Sequence, residues 1–180
     1  MQALSGLATA IDRFNETVGR ITGWLAVAMV LVQFTVVVMR YVFGVGSIMM
    51  QESVVYLHSL LFLVGAGYTL YHNGHVRVDV FYREAKPRTK AWVDLLGNLF
   101  FLIPVCILIA VYSLPYVSQS WSVLEGSKET SGIQAVFLLK TIIVVFCSVV
   151  ALQGLAIALH ALTFLTGSPP ADNPYTKEDS

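Results

Sequence analysis

The run Ile21–Met39, ITGWLAVAMVLVQFTVVVM, contains no charged residue, and Gln33 is its only amide. An α-helix rises about 1.5 Å per residue and the hydrocarbon core of a bilayer is about 30 Å thick, so roughly twenty such residues cross it. Trp24 is placed to anchor one interface, and Arg40 and Tyr41 the other, with Arg40 snorkelling towards water. A span is therefore predicted over 21–43, and it decides the class of the fold. Composition agrees. Of 180 residues, 56% are hydrophobic and only 12% charged, where a soluble domain carries about 25%. The mean hydropathy is +0.71. The chain reads as an integral membrane protein.

Working outward, Gly44-Val45-Gly46-Ser47 is a turn, and a second span is predicted over 48–71. A third helical unit follows over 87–117, opened by Pro87 at a first-turn position. Pro104 is expected to kink it, and Pro115 to end it or kink its last turn. A fourth unit is predicted over 133–166. In front of the first span, Leu4, Leu7, Ala8, Ile11, Phe14, Val18 and Ile21 recur at helical spacing, with Asp12, Arg13, Asn15 and Glu16 on other faces. Residues 1–20 thus read as a short amphipathic helix at the membrane interface. The tail, 167–180, is polar, proline-rich and expected to be disordered. The expected fold is all-α: four transmembrane helices over 21–166 plus the interfacial helix.

Four spans place the N-terminus, the loop 72–90 and the C-terminus on one side. That side holds eight basic residues: Arg13, Arg20, Arg77, Arg83, Lys86, Arg88, Lys90 and Lys177. The other holds Lys128, with Arg40 and Lys140 at its border. The positive-inside rule makes the first side cytoplasmic. No bulk basicity points to nucleic acid, because the net charge is zero. Cys106 and Cys147 lie inside apolar runs and read as buried small hydrophobes. No phosphate loop, dinucleotide fingerprint or zinc motif is present, so no cofactor and no catalytic residue are expected.

The loop itself reads HNGHVRVDVFY over His72–Tyr82. Val76, Val78 and Val80 alternate with Arg77 and Asp79, the period of a short extended piece. Gly74 and His75 are expected to shape the turn, Gly74 through a backbone angle that other residues resist. Arg77 and Asp79 are expected to orient the loop by pairing with each other or with helix ends. Glu52 sits early in the second span. It either pairs with a basic or amide group, Arg40 being the nearest internal choice, or faces water at headgroup level. Arg40, Glu52 and Lys140 together suggest docking to a subunit or to lipid headgroups. Trp121, Glu125 and Glu129 lie on the connector that faces the other side, where a soluble partner could touch them. His58 and His160 invite a haem reading, but their depths along the chain do not match.

Gly74-His75-Val76-Arg77-Val78-Asp79 follows a span ending in Gly65-Ala66-Gly67-Tyr68. Together with Glu52, Asp94, Gly97, Pro104, the polar turn around Ser127, Lys140 and Leu152-Gln153-Gly154, this pattern resembles the DctQ-like small membrane subunit of tripartite ATP-independent periplasmic transporters. The resemblance runs from about residue 20 to 160. One departure is the stretch GIQAVFLLK before Lys140, where that family often has prolines. The resemblance implies a bacterial inner-membrane protein with both termini cytoplasmic. It implies a large many-spanning partner subunit carrying substrate and sodium sites, and a periplasmic binding protein that delivers an organic acid. The small subunit would be a fixed scaffold for an elevator-like partner. Two other functions stay open at this point: a membrane anchor for a haem or quinone oxidoreductase, and a stand-alone four-span carrier.

Overall fold

A computed structural model describes residues 2–76, 80, 82–167, 169 and 173–179. Four long apolar helices form an up-down-up-down bundle: α1 (Gln2–Val42), α2 (Ile48–Tyr71), α3 (Pro87–Ser122) and α4 (Val136–Leu165). Each is long and apolar enough to cross a membrane. The α2–α3 loop and both chain ends lie together at one end, here the basic end. The α1–α2 turn and the α3–α4 connector lie at the far end.

No separate interfacial helix is set off over residues 1–20, because α1 runs unbroken through 41 residues. The reason lies in where its polar side chains point. Asp12, Asn15 and Glu16 meet partners on α4 and α2 rather than water. The exposed residues of the same segment include Leu7, Phe14 and Ile21. A helix with its polar face inward and an apolar face outward gains nothing by lying flat on the surface. At 1.5 Å per residue α1 is about 60 Å long, so it tilts or extends beyond the bilayer.

α4 is the central helix and carries most of the buried residues, among them Cys147, Gln153, Gly154, Ala156 and Ala161. Lipid tails are as apolar as leucine, so burial of apolar area does not drive this packing; close approach and polar pairs do. Small residues line the contacts. A Cβ on Gly19 would sit 2.2 Å from the Tyr68 ring, and one on Gly67 would sit 2.4 Å from Asn15 Oδ1. Ala8, Ala91, Ala156 and Ala161 are fully buried.

Two helices contain a π-helical turn, at Leu60–Val64 in α2 and Asn98–Leu102 in α3. The second leads into Pro104. A proline has no N–H to give and its ring crowds the carbonyl four residues back, and a widened turn relieves both problems. Pro115 does not end α3, which continues through it to Ser122. At the basic end, Pro174–Asp179 form a 3-10 turn that buries Tyr175.

Candidate functional site

The far end is tied by side chains from three helices. α2 starts at its N-cap Ser47, whose hydroxyl accepts from the Met50 N–H. That places Glu52 beside the α3–α4 connector. Ser127 Oγ donates to Glu52 Oε1, and the Ile133 N–H donates to Glu52 Oε2 at 2.6 Å. Ser127 Oγ in turn accepts from the Glu129 N–H at 3.1 Å. Glu52 thus pairs with a hydroxyl and a backbone amide, not with Arg40. α1 ends at Val42, and Gly44, at φ +68°, turns the chain towards α2. Among the described residues Arg40 has no ion-pair partner, and its side chain is exposed.

The start of α4 is fixed in the same region. Lys140 Nζ donates to Glu125 Oε2 at 2.5 Å and lies 3.9 Å from the centroid of the Tyr116 ring. Lys140 therefore turns inward to α3 and the connector. The Lys140 ammonium holds the Glu125 carboxyl below the usual carboxylate range. Trp121 Nε1 donates to Thr141 Oγ1 at 2.9 Å, and its ring packs edge-on against Phe137 at 4.7 Å. Trp121 and Glu129 remain exposed. Leu124 holds a left-handed φ of +46° in a Schellman end to α3: its N–H reaches Trp121 O at 3.2 Å, and the Glu125 N–H reaches Ser120 O at 2.9 Å.

A second tie closes the basic end. Asp12 accepts from Gln153 Nε2 at 2.8 Å and from His160 Nε2 at 2.7 Å. Gln153 Oε1 accepts from Asn15 Nδ2 at 2.8 Å, and this pair is fully buried. One turn along, Glu16 accepts from Arg20 Nε at 2.7 Å and from His72 Nε2 at 2.6 Å. α1 is thereby fastened to α4 and α2. On α3, Asp94 Oδ2 accepts from the Tyr82 hydroxyl at 2.6 Å and the Tyr175 hydroxyl at 2.7 Å, which joins the loop and the tail turn to the bundle. Asp12, His72, Lys90, Asp94 and His160 border a polar cavity of about 510 Å³.

The loop motif is placed in part. α2 ends in a second Schellman turn, with Asn73 N–H to Leu70 O at 3.1 Å and Gly74 N–H to Thr69 O at 2.8 Å. The left-handed residue is Asn73, at φ +53°, not Gly74. Asparagine tolerates that region, so the position expected to need glycine is one step earlier. Gly74 instead fits close to Thr69, whose Cγ2 would lie 3.0 Å from an added Cβ. His75 Nε2 donates to the Ala66 carbonyl at 3.3 Å and folds the loop back over α2. Arg77 and Asp79 lie outside the described residues. So does the middle of the extended piece expected over 76–80.

His58 stacks on Phe62 with ring centroids 4.6 Å apart, while His160 is held by Asp12 at the basic end. Among the described residues no group of three His, Cys, Asp or Glu side chains is placed to hold a metal ion. The arrangement is mechanical in character: hydrogen bonds tie α1 to α4 and to the end of α2 at the basic end, and tie α2, α3 and α4 through the connector at the far end.

The sequence missed the basic-end tie. Its signal was present, since Asp12, Asn15, Glu16, Gly19 and Thr22 recur on one helical face, with Gln153 and His160 two turns apart on α4. Glu52, Asp94, Ser127, Lys140 and Gln153, noted separately in the sequence, prove to be the anchors of the two ties.

A sequence model of one family, described as tripartite ATP-independent periplasmic transporters, DctQ component, matches residues 29–166, which is most of the chain. No curated protein and no solved structure matches the chain.

Proposed function

Because the chain belongs to the family of DctQ components of tripartite ATP-independent periplasmic transporters, we propose that it is the small scaffold subunit of a sodium-coupled transporter that imports an organic acid. Components of this family are non-catalytic multi-pass membrane proteins. In this reading a large many-spanning subunit carries the substrate and sodium sites and moves like an elevator. The present chain is fixed to the part that stays still, in the bacterial inner membrane with both termini cytoplasmic. A soluble periplasmic protein delivers the substrate.

The observation that carries the scaffold role is the pair of ties. Asp12, Asn15 and Glu16 fasten one end, and Glu52 and Lys140 the other. A bundle pinned at both ends, with α1 held at the basic end, resists the sliding that a carrier would need. Its polar side chains engage one another at the ends instead of converging on a central path. Glu52 and Lys140 act here by holding the far end in shape, and Arg40 is left for docking to the partner or to lipid headgroups. Trp121, Glu125 and Glu129 form the surface offered to the delivery protein. Gly74, His75, Arg77 and Asp79 order the cytoplasmic loop.

The test begins with purification of the tagged chain from its native membrane in mild detergent and mass spectrometry of its companions. A stoichiometric many-spanning partner is expected. The pair, reconstituted in proteoliposomes with the binding protein, is expected to take up an organic acid only under an inward sodium gradient. Recovery of the chain alone, or with a companion carrying redox cofactors, would overturn the reading.

A further inference from the structure

Gln33 presents an unusual demand. It lies about five helical turns beyond Asn15 and so on the same face of α1. Near the basic end that face is covered: Asn15 and Thr22 are buried against the bundle. Towards the far end the cover thins, with Met29 and Val36 half-buried at its edge. Val30 and Val37 are exposed, and so is Gln33. Among the described residues the Gln33 amide makes no hydrogen bond. Thr35, on the opposite side of the helix, behaves differently and returns its hydroxyl to the Leu31 carbonyl at 2.8 Å.

The level of Gln33 sharpens the point. It stands about 13 Å along the helix from Trp24 and about 10 Å from Arg40, the two residues expected from the sequence to anchor the interfaces, at 1.5 Å per residue. That is near the middle of the hydrocarbon, where a primary amide has neither water nor lipid polar groups to meet. Arg40 is about two turns further on, on the same face, and is also exposed. One helical face therefore offers an amide at mid-depth and a cation at the far headgroup level, and among the described residues neither has a hydrogen-bond or ion-pair partner.

The geometry points to this face of α1, from Val30 through Gln33 and Val37 to Arg40, as the seam that docks the large membrane subunit. The inference rests on the chain being the small subunit of a transporter. The partner it fits is a membrane helix carrying an amide or hydroxyl opposite Gln33 and a carboxylate or free carbonyl near Arg40. A second copy of this chain fits poorly. A parallel two-fold pair would satisfy Gln33 with Gln33 but would set the two Arg40 side chains at one depth across a seam about 8–10 Å wide. Lipid alone satisfies Arg40 but not the amide.

The experiment places the photo-crosslinker para-benzoylphenylalanine at position 33 or 37 in the assembled transporter in native membranes. Controls carry it at Val111 on α3 or Leu152 on α4, both exposed. Irradiation is expected to join positions 33 and 37 to the large subunit, and the control positions far less. Cross-links from 33 only to a second copy, only lipid adducts there, or cross-links to the large subunit from 111 or 152 but not 33 would each overturn the seam. Those outcomes leave the scaffold reading intact if the large subunit still co-purifies with the unmodified chain. Its absence from that preparation would sink both. As a second readout, Gln33→Leu is expected to weaken recovery of the large subunit roughly 3- to 30-fold, the range of one interhelical hydrogen bond. The thermal stability of the isolated chain should not move, because Gln33 is exposed and makes no hydrogen bond to the described residues. Gln33→Asn should restore part of the recovery, and an unchanged recovery in Gln33→Leu would count against the seam.

Discussion

Replacing Gln153 with leucine tests the basic-end tie most directly. Gln153 is 1% exposed and bridges Asp12 and Asn15 of α1 through two hydrogen bonds of 2.8 Å. Leucine is close to glutamine in bulk, so the change is mainly one of polarity. Hydrogen bonds between membrane helices average about 0.6 kcal/mol and reach about 1.7 kcal/mol, so losing two contributes about 1–3 kcal/mol. The Asn15 amide nitrogen is then left buried with no acceptor, which adds about 1–3 kcal/mol. Asn15 Oδ1 has no partner even in the intact chain, so the residue has no other bond to fall back on. The expected loss is about 2–6 kcal/mol. It would be read from unfolding in mixed micelles titrated with dodecyl sulfate, followed by tryptophan fluorescence. The decisive variant is the pair Asn15→Leu with Gln153→Leu. Removing both partners strands neither of them, so the double variant should be less destabilised than the sum of the singles by about 1–3 kcal/mol. Singles costing under about 0.5 kcal/mol, or additive effects, would refute the claim that this buried pair fastens α1 to α4.

Leu124→Gly is expected to stabilise the chain by about 1 kcal/mol in the same titration, because Leu124 holds a left-handed conformation at φ +46° that costs a leucine and not a glycine. The Glu125 carboxyl, held low by Lys140, favours the folded state once pH is above its ordinary value near 4.5, and that contribution is lost as pH falls through the lowered one. Glu125→Gln should therefore flatten the decline of the melting temperature below about pH 4.5 and leave the profile near neutrality the same shape.

Much of the bundle was written in hydropathy and length. A span over 48–71 could be read directly because its limits are set by turn residues, Ser47 before it and Asn73-Gly74 after it. Of the two outcomes open at Pro115, an end to the helix does not occur, because a proline within a long apolar helix can be carried by the surrounding turns, and α3 continues to Ser122. The segment before Ile21 misled for a different reason. Its heptad-like apolar residues have the pattern of a helix on a membrane surface. That pattern says nothing about whether Asp12 and Asn15 face water or a glutamine 138 positions further on. Pairing across such distances depends on helix phase, and the π turns at Leu60–Val64 and Asn98–Leu102 change that phase without a signature in composition. Glu52 stood out as a carboxylate early in a span, but its partners were not legible, since a serine and a backbone amide leave no charge pattern to match.

Those π turns carry a further meaning. A π turn holds one residue more than the α turn it replaces, so it acts as a single-residue insertion absorbed within a helix. In α2 it lies between Glu52, committed to the far-end connector, and Gly67 and His72, committed to α1. Without the spare residue, a change in length anywhere between these anchors would rotate one set by about 100° and tear it from its partners. With it, deleting one residue from Leu60–Val64 can be taken up by tightening the turn to an ordinary one. The two ends of the bundle can thus drift apart in sequence length by a residue and still each find their own grip.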